Sequence, residues 1–377
     1  MKIVYLNRVK SCFIIGLIFV SALLFGKNFS DLSLADMKLA LQEVNLARNV
    51  YGNRESVEKG FKPSDAFLNS PHVVKLGFDP KGLPIFAFKS DDGQTSGMMV
   101  YDKANGMISP FVPKLWDGSA FLTSFRFPTP DAAYVGIIMQ PPPNFYAQVL
   151  QSANGEWHVS FRGTEKWADW KENGLQFIGN IPPQYRVADM MSLAMAETTS
   201  GTVHYTGHSE GGGEVQYVIL KNIERGNLNI EGIGYNSQRI SEKILDSFKP
   251  ATLETAQSLI TQYRTQNDVV SGARELGEPL LGRVFELPPA VLGPLQILLG
   301  ETSPGVGLIN DIDLVLDAHS IDLMRTAIMC EIQKKEQPIH PEDISGYLPG
   351  VTAPSAGSGS GTSANKKPVS VRPIKIF

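Results

Sequence analysis

The five residues Gly207-His208-Ser209-Glu210-Gly211 constrain this chain more than any other stretch. A β-like run at residues 202–206 precedes the serine, and a helix-like run that opens with three glycines follows it. A G-x-S-x-G sequence at a sharp strand-to-helix turn exposes the serine hydroxyl, because the glycines let neighbouring backbone pass without a Cβ clash. The turn also directs the first N–H groups of the helix at a developing oxyanion. The stretch therefore predicts a nucleophilic serine.

Composition fits a globular protein with a sizeable core. The 377 residues are 42% hydrophobic and 19% charged, which suits one large α/β domain with additions or two modest domains. A net charge of −4 argues against nucleic acid as the main partner. Cys12 and Cys330 fall in separate segments, and the six histidines are scattered. We therefore expect no structural disulfide, no metal and no cofactor, and the sequence does not fix the oligomeric state.

Residues 1–26 have the pattern of a signal peptide. Lys2, Arg8 and Lys10 precede an apolar run at residues 12–25, which is short for a membrane-spanning helix. Leu24 occupies a position where a cleavage site prefers a small residue, so an uncleaved N-terminal membrane anchor is the alternative. Both interpretations predict a catalytic part that is exported (secreted or periplasmic) or anchored to a membrane.

Residues 27–130 are predicted to form a helix and β-hairpins that pack on the following core. Ser33 and Asp36 resemble a capping box, and apolar residues at helical spacing continue to Gly52. We expect this helix to pack on the domain rather than to bind a partner. Short β-like pieces at residues 84–88 and 97–101 predict hairpins that lead into the main sheet.

Residues 131–348 alternate between strand-like and helix-like segments. Strands are predicted at residues 157–161, 202–206, 230–235 and 259–266, and helices at residues 185–197, 214–223, 238–248 and 319–335. Repeated β-α-β units predict an α/β fold with a mostly parallel central sheet and helices on both faces. Residues 349–377 are rich in Gly, Ser and Ala and are predicted to be a disordered tail.

Chain order restricts the partners of the serine, because the acid and the histidine follow a serine placed on such a turn. His319 and His340 follow Ser209, and we favour His319 because it follows a loop and opens a helix. Asp268 comes directly after a predicted strand, at the edge where open sheets form their sites, and Asp317 is the alternative. Asp268 would orient His319, which would deprotonate Ser209 and later protonate the leaving alkoxide.

Three ordered motifs resemble those of the class 3 (fungal-type) lipase family. Phe161-Arg162-Gly163-Thr164, followed by Asp169-Trp170 and Asn173, is similar to its "FRGT…DW…N" signature. Residues 205–212 are similar to its "TGHSxGG" segment, and residues 263–270 resemble the segment that carries its catalytic aspartate. The resemblance covers residues 130–335 and implies an α/β-hydrolase fold. Departures around His319 and the absence of paired cysteines suggest a bacterial-like branch.

The resemblance implies roles beyond the triad of Ser209, Asp268 and His319. The backbone N–H groups of Glu210 and Thr164, with the Thr164 hydroxyl, would form the oxyanion hole. The Glu210 carboxylate departs from the apolar residue usual in the family. Three aromatic residues occupy the place of the family's lid: Trp167, Trp170 and Phe177. They would bind substrate or, alternatively, pack in the core.

These features predict a serine hydrolase that cleaves carboxylic esters of lipids through an acyl-serine intermediate. The substrate would be a lipid ester, as for a triacylglycerol lipase or a phospholipase, at a membrane or lipid interface. An acyltransferase with the same triad and a non-catalytic lipid-binding protein are the alternatives. The apolar residues 287–299 would line an acyl groove, contact a membrane or form a buried connection. Three methionines at helical spacing favour the core over an acyl pocket: Met190, Met191 and Met195.

Overall fold

A computed structural model describes residues 27–52, 60–111, 144–163, 181–266, 268, 271, 280–288 and 319–336. The described strands are, in chain order, β1 (Lys27–Asn28), β2 (Phe61–Pro63), β3 (Val73–Phe78), β4 (Pro84–Phe88), β5 (Met99–Asp102), β6 (Met107–Pro110), β7 (Ala147–Ser152), β8 (Trp157–Phe161), β9 (Val203–His208), β10 (Ile230–Tyr235), β11 (Ile260–Thr265) and β12 (Arg283–Leu287). The described α-helices are α1 (Leu34–Asn49), α2 (Pro183–Ala196), α3 (Glu210–Glu224), α4 (Glu242–Leu245), α5 (Pro250–Leu259) and α6 (Ile321–Glu336). Single 3₁₀ turns cover Phe29–Asp31 and Ala66–Asn69.

The described strands form one mixed sheet, in the order β1-β12-β11-β10-β9-β8-β7-β6-β5-β4-β3, with β2 paired to β7. Neighbouring strands in the series β1-β12-β11-β10-β9-β8 are parallel. Neighbouring strands in the series β8-β7-β6-β5-β4-β3, and the pair β2 and β7, are antiparallel. The prediction of a mostly parallel sheet is therefore wrong for the N-terminal half. The predicted hairpins do enter the main sheet, and strands joined by short turns pair antiparallel.

Helices cover both faces of the parallel half. On one face α1 packs against α6, β8 and β9, and on the other α3 packs against α2, α5, β9 and β10. Strand β10 shows why the sequence allows this. A Cβ on Gly232 would lie 2.9 Å from side-chain carbons of Val215 and Ile219 on α3, so glycine lets that helix approach closely. The alternate residues Ile233 and Tyr235 point to the opposite face and join the core beneath α1 and α6.

Several local predictions are confirmed. Helix α1 begins after Ser33, whose Oγ accepts a hydrogen bond from the backbone N–H of Asp36 at 3.1 Å, and the helix packs on the domain. The methionines of α2 are core residues, all at most 5% exposed: Met190, Met191 and Met195. Strands β8 and β10 have the predicted bounds, and β9 runs two residues further than predicted, directly up to Ser209.

The region after β10 differs from the prediction. The helix expected at residues 238–248 is reduced to the single turn α4, because the backbone N–H of Gln238 donates to the Ser209 carbonyl at 2.9 Å and the Gln238 carbonyl accepts from the Gln216 side chain. The longer helix α5 was not predicted, although Pro250 at its first position favours a helix start. Strand β12 was also not predicted.

Within the described ranges, no helix combines the length and the apolar character needed to cross a membrane. The predicted N-terminal signal or anchor (residues 1–26), the boundary at residue 130, most of the apolar stretch at residues 287–299 and the tail at residues 349–377 lie outside the described residues.

Candidate active site

Ser209 occupies the turn between β9 and α3. Its backbone has φ 59° and ψ −124°, and Asn236 is the other non-glycine residue of the described ranges with positive φ. A Cβ on Gly207 would lie 2.3 Å from the Gly211 carbonyl oxygen, and a Cβ on Gly211 would lie 2.5 Å from the Phe161 carbonyl oxygen. The two glycines of the motif are therefore required by close backbone approach, and the strained turn presents a serine at the helix N-terminus.

His319 lies between Ser209 and Asp268. Its Nε2 is 2.8 Å from Ser209 Oγ, and its Nδ1 is 2.8 Å from Asp268 Oδ1. An ionised carboxylate only accepts hydrogen bonds, so the Nδ1–H of His319 donates to Asp268 and Nε2 faces the serine hydroxyl. Ser209 follows β9, Asp268 follows β11, and His319 lies two residues before α6. The three residues therefore meet at the carboxyl ends of parallel strands.

Asp268 is held by Ser271 as well as by His319. The backbone N–H of Ser271 donates to Asp268 Oδ2 at 2.8 Å, and the Ser271 hydroxyl donates to the same oxygen. Burial alone raises the pKa of the Asp268 carboxyl, but the hydrogen bond and charge of His319 and the two Ser271 hydrogen bonds bring it below its ordinary value. Asp268 is therefore ionised at neutral pH and able to orient the imidazole.

A second histidine, His208, hydrogen bonds to the backbone of His319. His208 Nε2 is 2.6 Å from the backbone carbonyl oxygen of His319, and His208 Nδ1 is 3.1 Å from the Tyr51 hydroxyl. The backbone N–H of Gly163 donates to the Tyr51 oxygen at 3.0 Å. The sequence analysis did not single out Tyr51, His208 or Ser271 as site residues. The position of His208 inside the G-x-S-x-G motif is the one local signal that pointed to it.

Glu210, predicted to supply a backbone N–H to the oxyanion hole, is the first residue of α3. The first N–H groups of a helix have no acceptor within that helix, which is what the predicted role requires. The Glu210 side chain is buried. The pKa of Glu214 on α3 and that of Tyr185 on α2 are raised mainly by burial and further by the charge of Glu210. The carboxylate therefore lies near the α2–α3 contact.

Several candidates from the sequence fall outside the described residues. These are the oxyanion residue Thr164, the lid residues Trp167, Trp170 and Phe177, and the alternative triad members Asp317 and His340. Away from the triad, three side chains of the described ranges have the donor types and spacing of a metal site: Glu156, His158 and His204.

A family model described as phospholipase-like, a Tle-like phospholipase domain, matches residues 129–287. The matched segment contains Ser209 and Asp268 and ends before His319. No curated protein matches this chain.

Two solved structures show distant similarity. A Rhizomucor miehei lipase propeptide complex with a two-residue deletion has 18% identity and a TM-score of 0.27 over 34% of this chain, and the match spans about half (46%) of that chain. Acetyl xylan esterase 1 from Thermoanaerobacterium sp. JW/SL YS485 has 8% identity and a TM-score of 0.22 over 76% of this chain and 94% of that chain. The family match supports a hydrolase of lipase or phospholipase type, and not class 3 specifically.

Proposed function

We propose that this protein is a serine hydrolase that cleaves carboxylic esters of lipids, on an α/β-hydrolase fold, with Ser209, His319 and Asp268 as its triad. The observation that carries the proposal is the position of His319, whose two ring nitrogens lie 2.8 Å from Ser209 Oγ and 2.8 Å from Asp268 Oδ1. A serine, a base and an orienting carboxylate at hydrogen-bond distances form the constellation that activates a hydroxyl for acyl transfer.

The reaction would proceed in two halves. Ser209 Oγ attacks the acyl carbonyl while His319 Nε2 takes the hydroxyl proton, and Asp268 stabilises the resulting imidazolium. His319 then gives the proton to the leaving alkoxide, which leaves an acyl-serine ester. A water molecule, deprotonated by His319, attacks that ester, and His319 returns the proton to Ser209 Oγ as the fatty acid leaves. The backbone N–H groups of Glu210 and Thr164 would stabilise the oxyanion in both halves.

The family match supports a phospholipid as the substrate. The phospholipase-like domain covers the segment that holds the serine and the aspartate, which favours a phospholipid ester over a triacylglycerol. Trp167, Trp170 and Phe177 would contact the lipid interface as lid or substrate-binding residues. The N-terminal segment would place this activity outside the cytoplasm, either as an exported protein or on a membrane anchor.

The test is fatty-acid release from phospholipid vesicles and from a triacylglycerol emulsion, with Ser209→Ala beside the wild type. Ser192→Ala is the matched control, since Ser192 is another fully buried serine, on α2 and outside the site. We expect release by the wild type and by Ser192→Ala, none by Ser209→Ala, and faster release from vesicles than from the emulsion.

A fluorophosphonate that labels activated serines separates catalysis from binding. Labelling of the wild type and not of Ser209→Ala supports an assembled triad. A wild type that neither reacts with the probe nor releases fatty acid would be a lipid-binding protein, and turnover by Ser209→Ala would mean a different nucleophile. Transfer of the acyl group to an added alcohol in preference to water would identify the acyltransferase alternative.

A further inference from the structure

A cluster of two histidines and three glutamates lies at the end of the sheet opposite to the triad. His158 and His204 are register partners on the adjacent parallel strands β8 and β9, close to the first residue of each strand. Glu156 directly precedes β8. His204 is five residues before Ser209, which corresponds to roughly 16 Å along an extended strand. The cluster is therefore separate from the triad and has no part in the proposed hydrolysis.

Three of these side chains converge. One donor atom from each of Glu156, His158 and His204 lies within 4.8 Å of the others, and His204 Nε2 is 3.7 Å from Glu156 Oε2. The two imidazole rings are stacked, with centroids 4.8 Å apart. Ligands of a tetrahedral zinc ion lie about 3.4 Å from one another, given metal–ligand bonds of ~2.0–2.1 Å. Glu156 is 42% exposed and accepts a hydrogen bond from Asn154, so a modest side-chain rotation closes the set.

The remaining two glutamates fix the orientation of the histidines. His158 Nδ1 is 2.9 Å from Oε1 of the fully buried Glu43 on α1, and His204 Nδ1 is 3.3 Å from Glu231 Oε2 on β10. Because carboxylates accept hydrogen bonds, each Nδ1–H donates to its glutamate, and each Nε2 is the ring nitrogen left for another partner. Metal-binding histidines are held in this way, with the second ring nitrogen donating to a carboxylate.

The Nε2 atoms of His158 and His204 are buried polar atoms whose hydrogen-bonding needs no described residue meets. Both are buried, and within the described ranges neither has a hydrogen-bond partner; the His158 side chain is only 3% exposed. The carboxylates of Glu43, Glu231 and Glu156 surround the two imidazole rings with negative charge. The same negative field attracts a divalent cation.

We propose that Glu156, His158 and His204 bind a divalent transition-metal ion, with Zn²⁺ the best fit. Two imidazole nitrogens and one carboxylate oxygen suit zinc and not magnesium or calcium, which prefer oxygen ligands throughout. A water molecule would complete the coordination. The ion would join the first residues of β8 and β9 and, through Glu43 and Glu231, connect them to α1 and β10. The sequence predicted no metal site, because His204 is far along the chain from Glu156 and His158.

The test uses the full chain without a histidine tag, stripped with a chelator and titrated with Zn²⁺ above neutral pH, where Nε2 is unprotonated. We expect saturable binding of one ion per chain and a melting temperature that rises by several degrees with added Zn²⁺ and not with Mg²⁺. Neither readout requires ester hydrolysis, so the outcome is independent of the proposed function.

Three variants decide between this site and others. His204→Gln removes a ligand and should abolish the melting shift, and Glu231→Gln, at an exposed outer carboxylate, should weaken zinc binding by about 10–100-fold. His72→Gln, a partly buried histidine beside β3, is the matched control and should bind zinc as the wild type does. A wild type without saturable binding, or equal affinity in the wild type and His204→Gln, would overturn the proposal.

Discussion

His208 Nε2 lies 2.6 Å from the backbone carbonyl oxygen of His319. A carbonyl oxygen only accepts, so Nε2 of His208 is the donor and its Nδ1 accepts from the Tyr51 hydroxyl, 3.1 Å away. The residue that immediately precedes the proposed nucleophile therefore fixes the main chain of the proposed base. His319 precedes α6, at a position where no regular secondary structure would otherwise hold it. His208 and Tyr51 act here as positioning residues.

The first prediction concerns the pH dependence of stability. Burial, followed by the nearby positive charge of His319, lowers the pKa of His208 from 6.5 to about 3. Between these values the unfolded chain binds one more proton than the folded one, so the free energy of unfolding falls as pH falls. The loss is about 1.4 kcal/mol per pH unit. His208→Gln keeps a donor and an acceptor and removes the titration, so its stability should fall less steeply.

Urea unfolding of the wild type and of His208→Gln at a series of pH values between 6.5 and about 4 measures this difference. Parallel stability curves for the two proteins would show that His208 titrates with its ordinary pKa in the folded state.

The second prediction concerns Tyr51→Phe. Removal of the hydroxyl leaves the Gly163 N–H without its acceptor and His208 Nδ1 without its donor. We expect a loss of about 1–3 kcal/mol in the free energy of unfolding, the usual cost of an unsatisfied buried polar group. The value of kcat should also fall, since the base is less firmly placed. Tyr217→Phe, on α3, is the matched control, and similar effects of both substitutions would argue against the network.

The third prediction compares the loss of the Asp268 carboxylate with the loss of the Ser271 hydroxyl that hydrogen bonds to it. Asp268→Asn should lower kcat by roughly 10⁴-fold, as expected when the acid of a triad is neutralised. Ser271→Ala removes one of the two hydrogen bonds that Ser271 donates and leaves the backbone N–H in place, so its effect on kcat should be much smaller. Steady-state kinetics on a soluble ester provides both values. Near-normal turnover by Asp268→Asn would move the role of the acid to Asp317.

The fourth prediction concerns the contact between α2 and α3. In an exposed helix, Gly→Ala is stabilising by about 1 kcal/mol. A Cβ on Gly213 would lie 1.9 Å from the Tyr185 hydroxyl oxygen, and Tyr185 is buried. Gly213→Ala should therefore destabilise the fold, by about 1–3 kcal/mol. Thermal unfolding of Gly213→Ala, Tyr185→Phe and the double variant tests this. The double variant should recover part of the loss, and strict additivity would show that the two side chains do not collide.

Local features of the fold were predictable where the signal lies in contiguous residues. Ser33 and the periodic apolar residues after it specify α1, and the turn at Ser209 follows from the glycines around it, because close approach and positive φ are properties of a few neighbouring residues. The failures occur where tertiary contacts override local pattern. Residues 238–248 have helical periodicity, yet Gln238 hydrogen bonds to Ser209 and Gln216 instead.

The pattern of residues along the chain specified the strands β8 to β11 and the helices α1, α2, α3 and α6, and it indicated Ser209, Asp268 and His319 as one candidate site. The tertiary structure alone decided which side chains meet across long stretches of chain, because strand register and helix packing set those distances. Tyr51 reaches His208 from 157 residues away, and Glu43 reaches His158 from 115 residues away. Apolar periodicity could describe Tyr51 only as part of a buried helical face. In the folded chain the Tyr51 hydroxyl donates a hydrogen bond to His208, the residue next to Ser209 of the candidate triad.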